Sequence, residues 1–148
     1  MNRTMSLMVV SFLILFGGVL EAQAQFTIRA ASDEAVAGWN RMEFNNKTLW
    51  VSPTASLTSA DITRAEPARA PDGRMAVSVI LNEDGAKKMR ALSAAQTNKL
   101  IAMVLDGQVI FAPRVRDEIG QQAMITGNDP SGLSASVVEK IVNSVNRK

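Results

Sequence analysis

The residue types that most often do chemistry are scarce in this chain. Its 148 residues include no histidine and no cysteine. The commonest general base and metal ligand is therefore missing, as is the thiol nucleophile. Serine–lysine or paired-carboxylate chemistry remains formally open, but no spacing in the sequence gathers such groups. Asp106 is an isolated acid followed by Gly107 between two apolar runs, and an Asp-Gly pair in that setting is a hairpin turn. Asn82-Glu83-Asp84-Gly85 offers oxygen atoms. It lacks the alternating ligands and distal glutamate of a calcium loop, and it fits the capped, acidic start of a helix instead. Lys87, Lys88 and Arg90 make a basic helical face, which is ordinarily just solvated. No catalytic residue, metal ligand or cofactor is expected.

Charge and composition narrow the partners. Sixteen basic residues against fourteen acidic ones leave a net charge of +2, and the chain has five Phe, two Trp and no Tyr. The basic residues are scattered and the aromatics few, so nucleic acid is not an expected partner. Residues 1–24 read as a secretory signal. Arg3 supplies the positive start, Leu7 to Leu20 carries no charge, and Ala22-Gln23-Ala24 is a small-x-small cleavage pattern. The apolar run falls short of the ~20 residues that a membrane span needs, and no later run reaches that length. The expected mature protein begins at Gln25, is periplasmic or secreted, and has no membrane span after cleavage. Without cysteine it must hold together by packing alone.

The elements that would position any site follow from periodicity. Phe26, Ile28 and Ala30 alternate with Thr27, Arg29 and Ala31, as in a strand. Residues 32–47 read as irregular, and Thr48–Val51 as a strand. Thr58 and Asp61 have the spacing of a capping box. Ile62–Arg69 reads as a strand whose Pro67 belongs at an edge, and Pro71-Asp72-Gly73 as a turn. Met75–Leu81 is a strand, with a helix beginning at Asn82–Gly85. Leu100–Leu105 and Val109–Ala112 form a hairpin around Asp106-Gly107, with Ala112-Pro113 ending it. Gln122–Thr126 is a further strand. Leu133, Val137, Val138, Ile141 and Val145 mark a final amphipathic helix, with Arg147 and Lys148 where cations favour its end. The expectation is an α+β domain with two main helices packed as a second layer on one mostly antiparallel sheet.

Several of these runs occur together in a known family. VSVILNEDGAKKM (Val77–Met89), KLIAMVLDGQVIFAP (Lys99–Pro113) and Ile125-Thr126-Gly127 follow in order, with LTSADI (Leu57–Ile62) upstream. The chain from Val51 to its C-terminus resembles the head subdomain of the large periplasmic region of SecD, a subunit of the bacterial protein-export machinery. The residues carrying the resemblance are Asn82, Gly85, Ala86, Asp106, Gly107, Pro113, Thr126 and Gly127. With the signal peptide at 1–24 and an N-terminal segment at 25–50, the resemblance implies a head-like domain at 51–148. It implies an exported, non-catalytic module that binds polypeptide or an envelope protein as an accessory to export. The alternatives are a structural domain that self-associates as a homo-oligomer, and a hydrolase using carboxylate or Ser/Lys chemistry. SecD proteins also carry transmembrane helices that couple export to the proton gradient, and no such run follows residue 24 here. Asn128-Asp129-Pro130-Ser131-Gly132 intervenes where the family places a helix soon after its Ile-Thr-Gly.

The hairpin supplies a candidate surface. A two-residue turn pairs Leu105 with Gln108, Val104 with Val109, and Met103 with Ile110. One face then carries Ala102, Val104, Val109 and Phe111, and the other Ile101, Met103, Leu105, Ile110 and Ala112. Both are apolar, and the two helices cover only one. Ile101, Met103, Leu105 and Ile110, or their opposite-face neighbours, are the candidate interaction surface unless residues 25–50, with Trp39, Phe44 and Trp50, fold over it.

Overall fold

In order along the chain come β1 (Phe26–Ser32), β2 (Asn40–Phe44), β3 (Lys47–Val51), β4 (Leu57–Thr58), a 3-10 turn (Ser59–Asp61), β5 (Ile62–Arg69), β6 (Met75–Leu81), α1 (Glu83–Ala95), β7 (Leu100–Leu105), β8 (Gln108–Phe111), β9 (Gln122–Ile125) and α2 (Ala135–Asn146). The computed structural model describes residues 25–127 and 132–146. The leader expected at 1–24, residues 128–131 of the intervening segment 128–132, and the terminal Arg147-Lys148 lie outside the described residues.

The fold is α+β, but the strands form two sheets rather than one. The larger runs β2-β3-β1-β7-β8, with β4 also pairing with β1, and the smaller runs β5-β6-β9. Every strand pairing is antiparallel, with one isolated parallel bridge between Met75 and Gly132. The main core unites the two sheets and both helices. Phe26, Ile28, Ile101, Met103 and Leu105 from the larger sheet join Val77, Val79 and Leu81 of β6, Met89 of α1, and Ile141 and Val145 of α2. The opposite face of the larger sheet has its own smaller core of Ala31, Leu49, Val51, Leu100, Ala102, Val104, Val109 and Ala112, with Met42 and Phe44 packed on it. All six residues of β7 are buried. A strand covered on both faces loses its alternation, which is why Leu100–Leu105 reads as one apolar run.

Residues 32–47, expected to be irregular, contain the start of a hairpin. Asn45 and Asn46 have φ of 50° and 61°, the left-handed pair of a two-residue turn that asparagine tolerates. Met42 lies opposite Leu49 and Phe44 opposite Lys47. Across the sheet, β1 pairs with β7 from Phe26–Leu105 to Ala31–Leu100. Ala31, Ala102 and Ala112 lie in the smaller core on this face, and β2 comes to lie against β8.

The turn at Asp106-Gly107 is as expected, with φ of 51° and 78°. Leu105 pairs with Gln108 and Val104 with Val109, but Met103 pairs with Phe111 and not Ile110. The extra residue is a β-bulge, which shifts the facing of everything beyond it. Ile110 and Phe111 therefore both pack on the main core, and Ala112 moves to the smaller one. Asp106 also anchors the start of β1. Its Oδ1 accepts the Gln25 N–H at 3.0 Å, and its own N–H donates to the Gln25 carbonyl at 3.0 Å. Asp106→Asn keeps both the turn and an Oδ1 acceptor, so urea unfolding of that variant should differ from wild type by less than about 0.5 kcal/mol. Gly107→Val should cost about 1–2 kcal/mol, because a β-branched side chain resists positive φ.

LTSADI and LNEDGAKK prove to be two halves of one junction. Asp61 Oδ2 accepts the Thr58 N–H at 3.1 Å, and Thr58 Oγ1 accepts the Ala60 N–H at 3.3 Å. Asn82 caps α1 through Oδ1, which accepts the Gly85 N–H at 2.8 Å. Its Nδ2 donates to Ala60 O at 2.9 Å and its backbone N–H to Asp61 O at 3.0 Å. Lys88 Nζ closes the junction on Asp61 Oδ1 at 2.8 Å. Burial of Asp61 opposes ionisation. The Lys88 ammonium and the Thr58 N–H outweigh it and hold the carboxyl below the usual carboxylate range. A depressed folded pKa gives stability that is present above the unfolded carboxylate's pKa and lost as pH falls through the folded one. Arg114 beside Asp33 and the Arg74 N–H beside Asp72 lower those exposed carboxyls too. The acid loss of stability should therefore shrink in Asp61→Asn without vanishing, as read from urea midpoints between about pH 7 and 3.

Candidate interaction surface

Most motif residues are where packing needs them. Asn82, Gly85 and Ala86 form the capped start of α1, and Ala86 is buried. The Pro113 carbonyl accepts the Ile101 N–H at 3.1 Å. Thr126 follows β9, and Gly127 has a φ of 70°. A Cβ on Gly127 would sit 2.9 Å from Leu133 Cδ2. The basic face of α1 is ion-paired. Lys87 meets Glu83 at 3.6 Å, Lys88 meets Asp61, and Arg90 meets Glu118 at 3.5 Å.

Ile101, Met103 and Leu105 are 0, 3 and 5 % exposed, and Ile110 is half-buried against the same core. A partner cannot reach the first three in the folded domain. Their cover is the second sheet with its helices. Their opposite-face neighbours are covered by Leu49, Met42 and Phe44, so of the three expected aromatics it is Phe44 that packs there. Trp39 and Trp50 are half-buried.

Two shallow clefts flank the seam where β2 meets β8. One, of about 410 Å³, is lined by Thr27, Arg29, Met42 and Val104 among others. The other, of about 600 Å³, lies beside Met42, Phe44, Gln108 and Val109. Arg29 is already engaged: Nε donates to Thr27 Oγ1, and Nη1 donates to the carbonyls of Ser52 (3.1 Å) and Pro53 (2.6 Å). It stitches β1 to residues 52–53 and is not poised for an anion. Among the described residues, no three acidic, histidine or cysteine side chains gather closely enough to hold a metal ion.

The two edges of the smaller sheet differ. In β5, the register with β6 turns the backbone groups of Ala65 and Pro67 outward. The Asn146 amide of α2 covers Ala65, accepting its N–H at 3.5 Å and donating to its carbonyl at 3.2 Å. Pro67 has no N–H to offer. On the far edge, the Leu81 N–H donates to Gln121 O at 2.8 Å. With Val79 opposite Ala123 and Val77 opposite Ile125, this leaves Gln122 and Met124 with their N–H and C=O groups pointing away from β6. Both are exposed. Met124, 41 % exposed, is the one exposed large hydrophobic among the described residues. Gln122–Ile125 is recognisable as a strand in the sequence, but nothing in it marks an edge, because edge status depends on which neighbours arrive.

The same architecture occurs in solved proteins. A structure of SecDF in a super-membrane-facing form matches with a TM-score of 0.64 at 24% identity, over 83% of this chain and 18% of that one. A structure of a membrane component SecDF that enhances protein export matches with a TM-score of 0.62 at 24% identity, over 83% of this chain and 62% of that one. These likenesses show the fold. In sequence, the protein translocase subunit SecD of Acidaminococcus fermentans is 41% identical over 73 residues, 49% of this chain and 18% of that protein. The protein translocase subunit SecDF of Thermus thermophilus is 40% identical over 72 residues, 48% of this chain and 10% of that protein. The chain thus spans less than a fifth of either relative. Residues 32–137 match the family described as SecDF, P1 head subdomain, and with most of its length inside that match the chain belongs to this family.

Proposed function

We propose that this protein is a non-catalytic, extracytoplasmic module that binds polypeptide and assists protein export. The observation that carries the reading is the family match over residues 32–137, whose relatives are translocase subunits. The chain has no histidine or cysteine, and among the described residues no helix is long and apolar enough to cross a membrane. On this reading residues 1–24 export the chain and are removed after Ala24. The mass of the exported protein should then correspond to a chain beginning at Gln25; a species that begins at Met1 and extracts with membranes contradicts it.

The binding activity is tested with an exported protein held unfolded, compared with the same protein folded. The domain should bind the unfolded form and ignore the folded one in fluorescence anisotropy. Binding to neither, or to a folded envelope protein alone, overturns the reading.

A further inference from the structure

We propose that the outer edge of β9, Gln122 to Ile125, is where a polypeptide docks, adding itself to the β5-β6-β9 sheet as a fourth, extended strand. This rests on the polypeptide-binding reading above and gives it a place and a mode.

The two edges of this sheet contrast. An open edge invites strand addition, and folded proteins normally blunt it. The β5 edge is blunted at successive outward positions, by the Asn146 amide on Ala65 and by proline at 67. Among the described residues the β9 edge has no such device. Gln122, Ala123, Met124 and Ile125 include no proline and no charge, and among the described residues no side chain caps the outward groups of Gln122 and Met124. Met124 adds an exposed apolar side chain on which a residue of the incoming strand can rest.

The edge also selects its occupant. Backbone N–H and C=O groups are the same in every polypeptide, so an edge that binds through them accepts extended chains of varied sequence. A second copy fits less well. The strand is four residues long, far below the 20–30 residues a side of a stable dimer interface. A short edge therefore gives weak, reversible capture of an extended segment, which suits a chain in passage.

The test uses the exported protein and a fluorescein-labelled eight-residue peptide of alternating valine and threonine. A second peptide has the same sequence with alternate backbone nitrogens methylated. Methylation removes the donors of one edge and leaves the side chains in place. The plain peptide should bind, and the methylated one should bind about tenfold more weakly or worse, the loss expected for one or two backbone hydrogen bonds. Met124→Lys puts a charge on the edge, and Met124→Pro removes an outward N–H that makes no ladder bond. Both should weaken the plain peptide by a similar factor, and Met124→Lys should melt within a few degrees of wild type. If Met124→Pro unfolds, the lysine variant and the methylated peptide still decide. Equal binding of both peptides, unchanged in Met124→Lys, overturns the edge while leaving polypeptide binding intact. Failure of the plain peptide while an unfolded protein still binds also overturns the edge. Failure of both overturns the functional reading as well. A concentration-dependent dimer that Met124→Lys abolishes, and that the peptide does not compete with, assigns the edge to a second copy and overturns the proposal.

Discussion

Met103→Glu is expected to unfold the domain. Met103 is 3 % exposed and packs in the core shared by both sheets and both helices. Glutamate is close to methionine in size, so the cost comes from burying a carboxyl in place of an apolar thioether and not from a cavity. The glutamate adds a carboxylate with no basic side chain among the core residues around it, so it must either stay neutral at a raised pKa or let water in. At least about 4 kcal/mol is therefore expected, a large part of the 5–15 kcal/mol that typically holds a domain together. Circular dichroism should show lost cooperative melting at neutral pH. A variant that melts like wild type but binds its partners less well would show instead that Met103 lies on a surface.

Gly85→Ala is the second large effect, and its sign is the informative part. At an ordinary helix position alanine is better than glycine by roughly 1 kcal/mol. Gly85 lies in the first turn of α1, where a Cβ would come 2.2 Å from the Asp61 carbonyl oxygen and 3.0 Å from its Cβ. The obstacle is backbone, so it cannot swing aside. The helix start must move off the 3-10 turn, stretching the Asn82 contacts to Ala60 and Asp61 and the Lys88–Asp61 pair. The net cost should be about 1–3 kcal/mol or more, read from urea midpoints at neutral pH. Stabilisation by alanine would mean that LTSADI and LNEDGAKK are not packed as described. The LNEDGAKK motif is thus a structural joint: the glycine allows close contact with Asp61, the asparagine bonds to Ala60 and Asp61, and the lysine pairs with the Asp61 carboxylate.

How much of this was legible in the sequence depends on the range of the interaction. Local devices were readable. The Thr58–Asp61 capping box, the Asn82 cap and the Asp106-Gly107 turn are each set by residues a few positions apart, and each forms. The Asn45-Asn46 turn was also local, flanked by Met42, Phe44, Leu49 and Val51 in alternation. The missing signal was a glycine, since asparagine at both turn positions is a weaker mark of positive φ. Long-range features were not legible. The bulge opposite Met103 shifts Ala112 from one core to the other, and a one-residue register shift leaves no mark in the local pattern. Division into two sheets depends on the corner at residues 57–62, where the chain leaves β1 to begin β5. The candidate surface follows the same rule: apolar residues mark Ile101, Met103 and Leu105, but only the arrival of the second sheet decides that they are covered.

The most direct measurement of the central claim is photo-crosslinking in cells during active export, with a photoreactive amino acid placed singly at Gln122, Met124, Gln108 or Asp72. These positions sample the β9 edge, the tip of the β7–β8 hairpin and the β5–β6 turn. Exported chains not yet folded should be captured, from Gln122 and Met124 above the other two positions, and blocking their synthesis should abolish the products. Capture of no exported chain at any position, with products formed only with a second copy or one folded envelope protein, would contradict that claim.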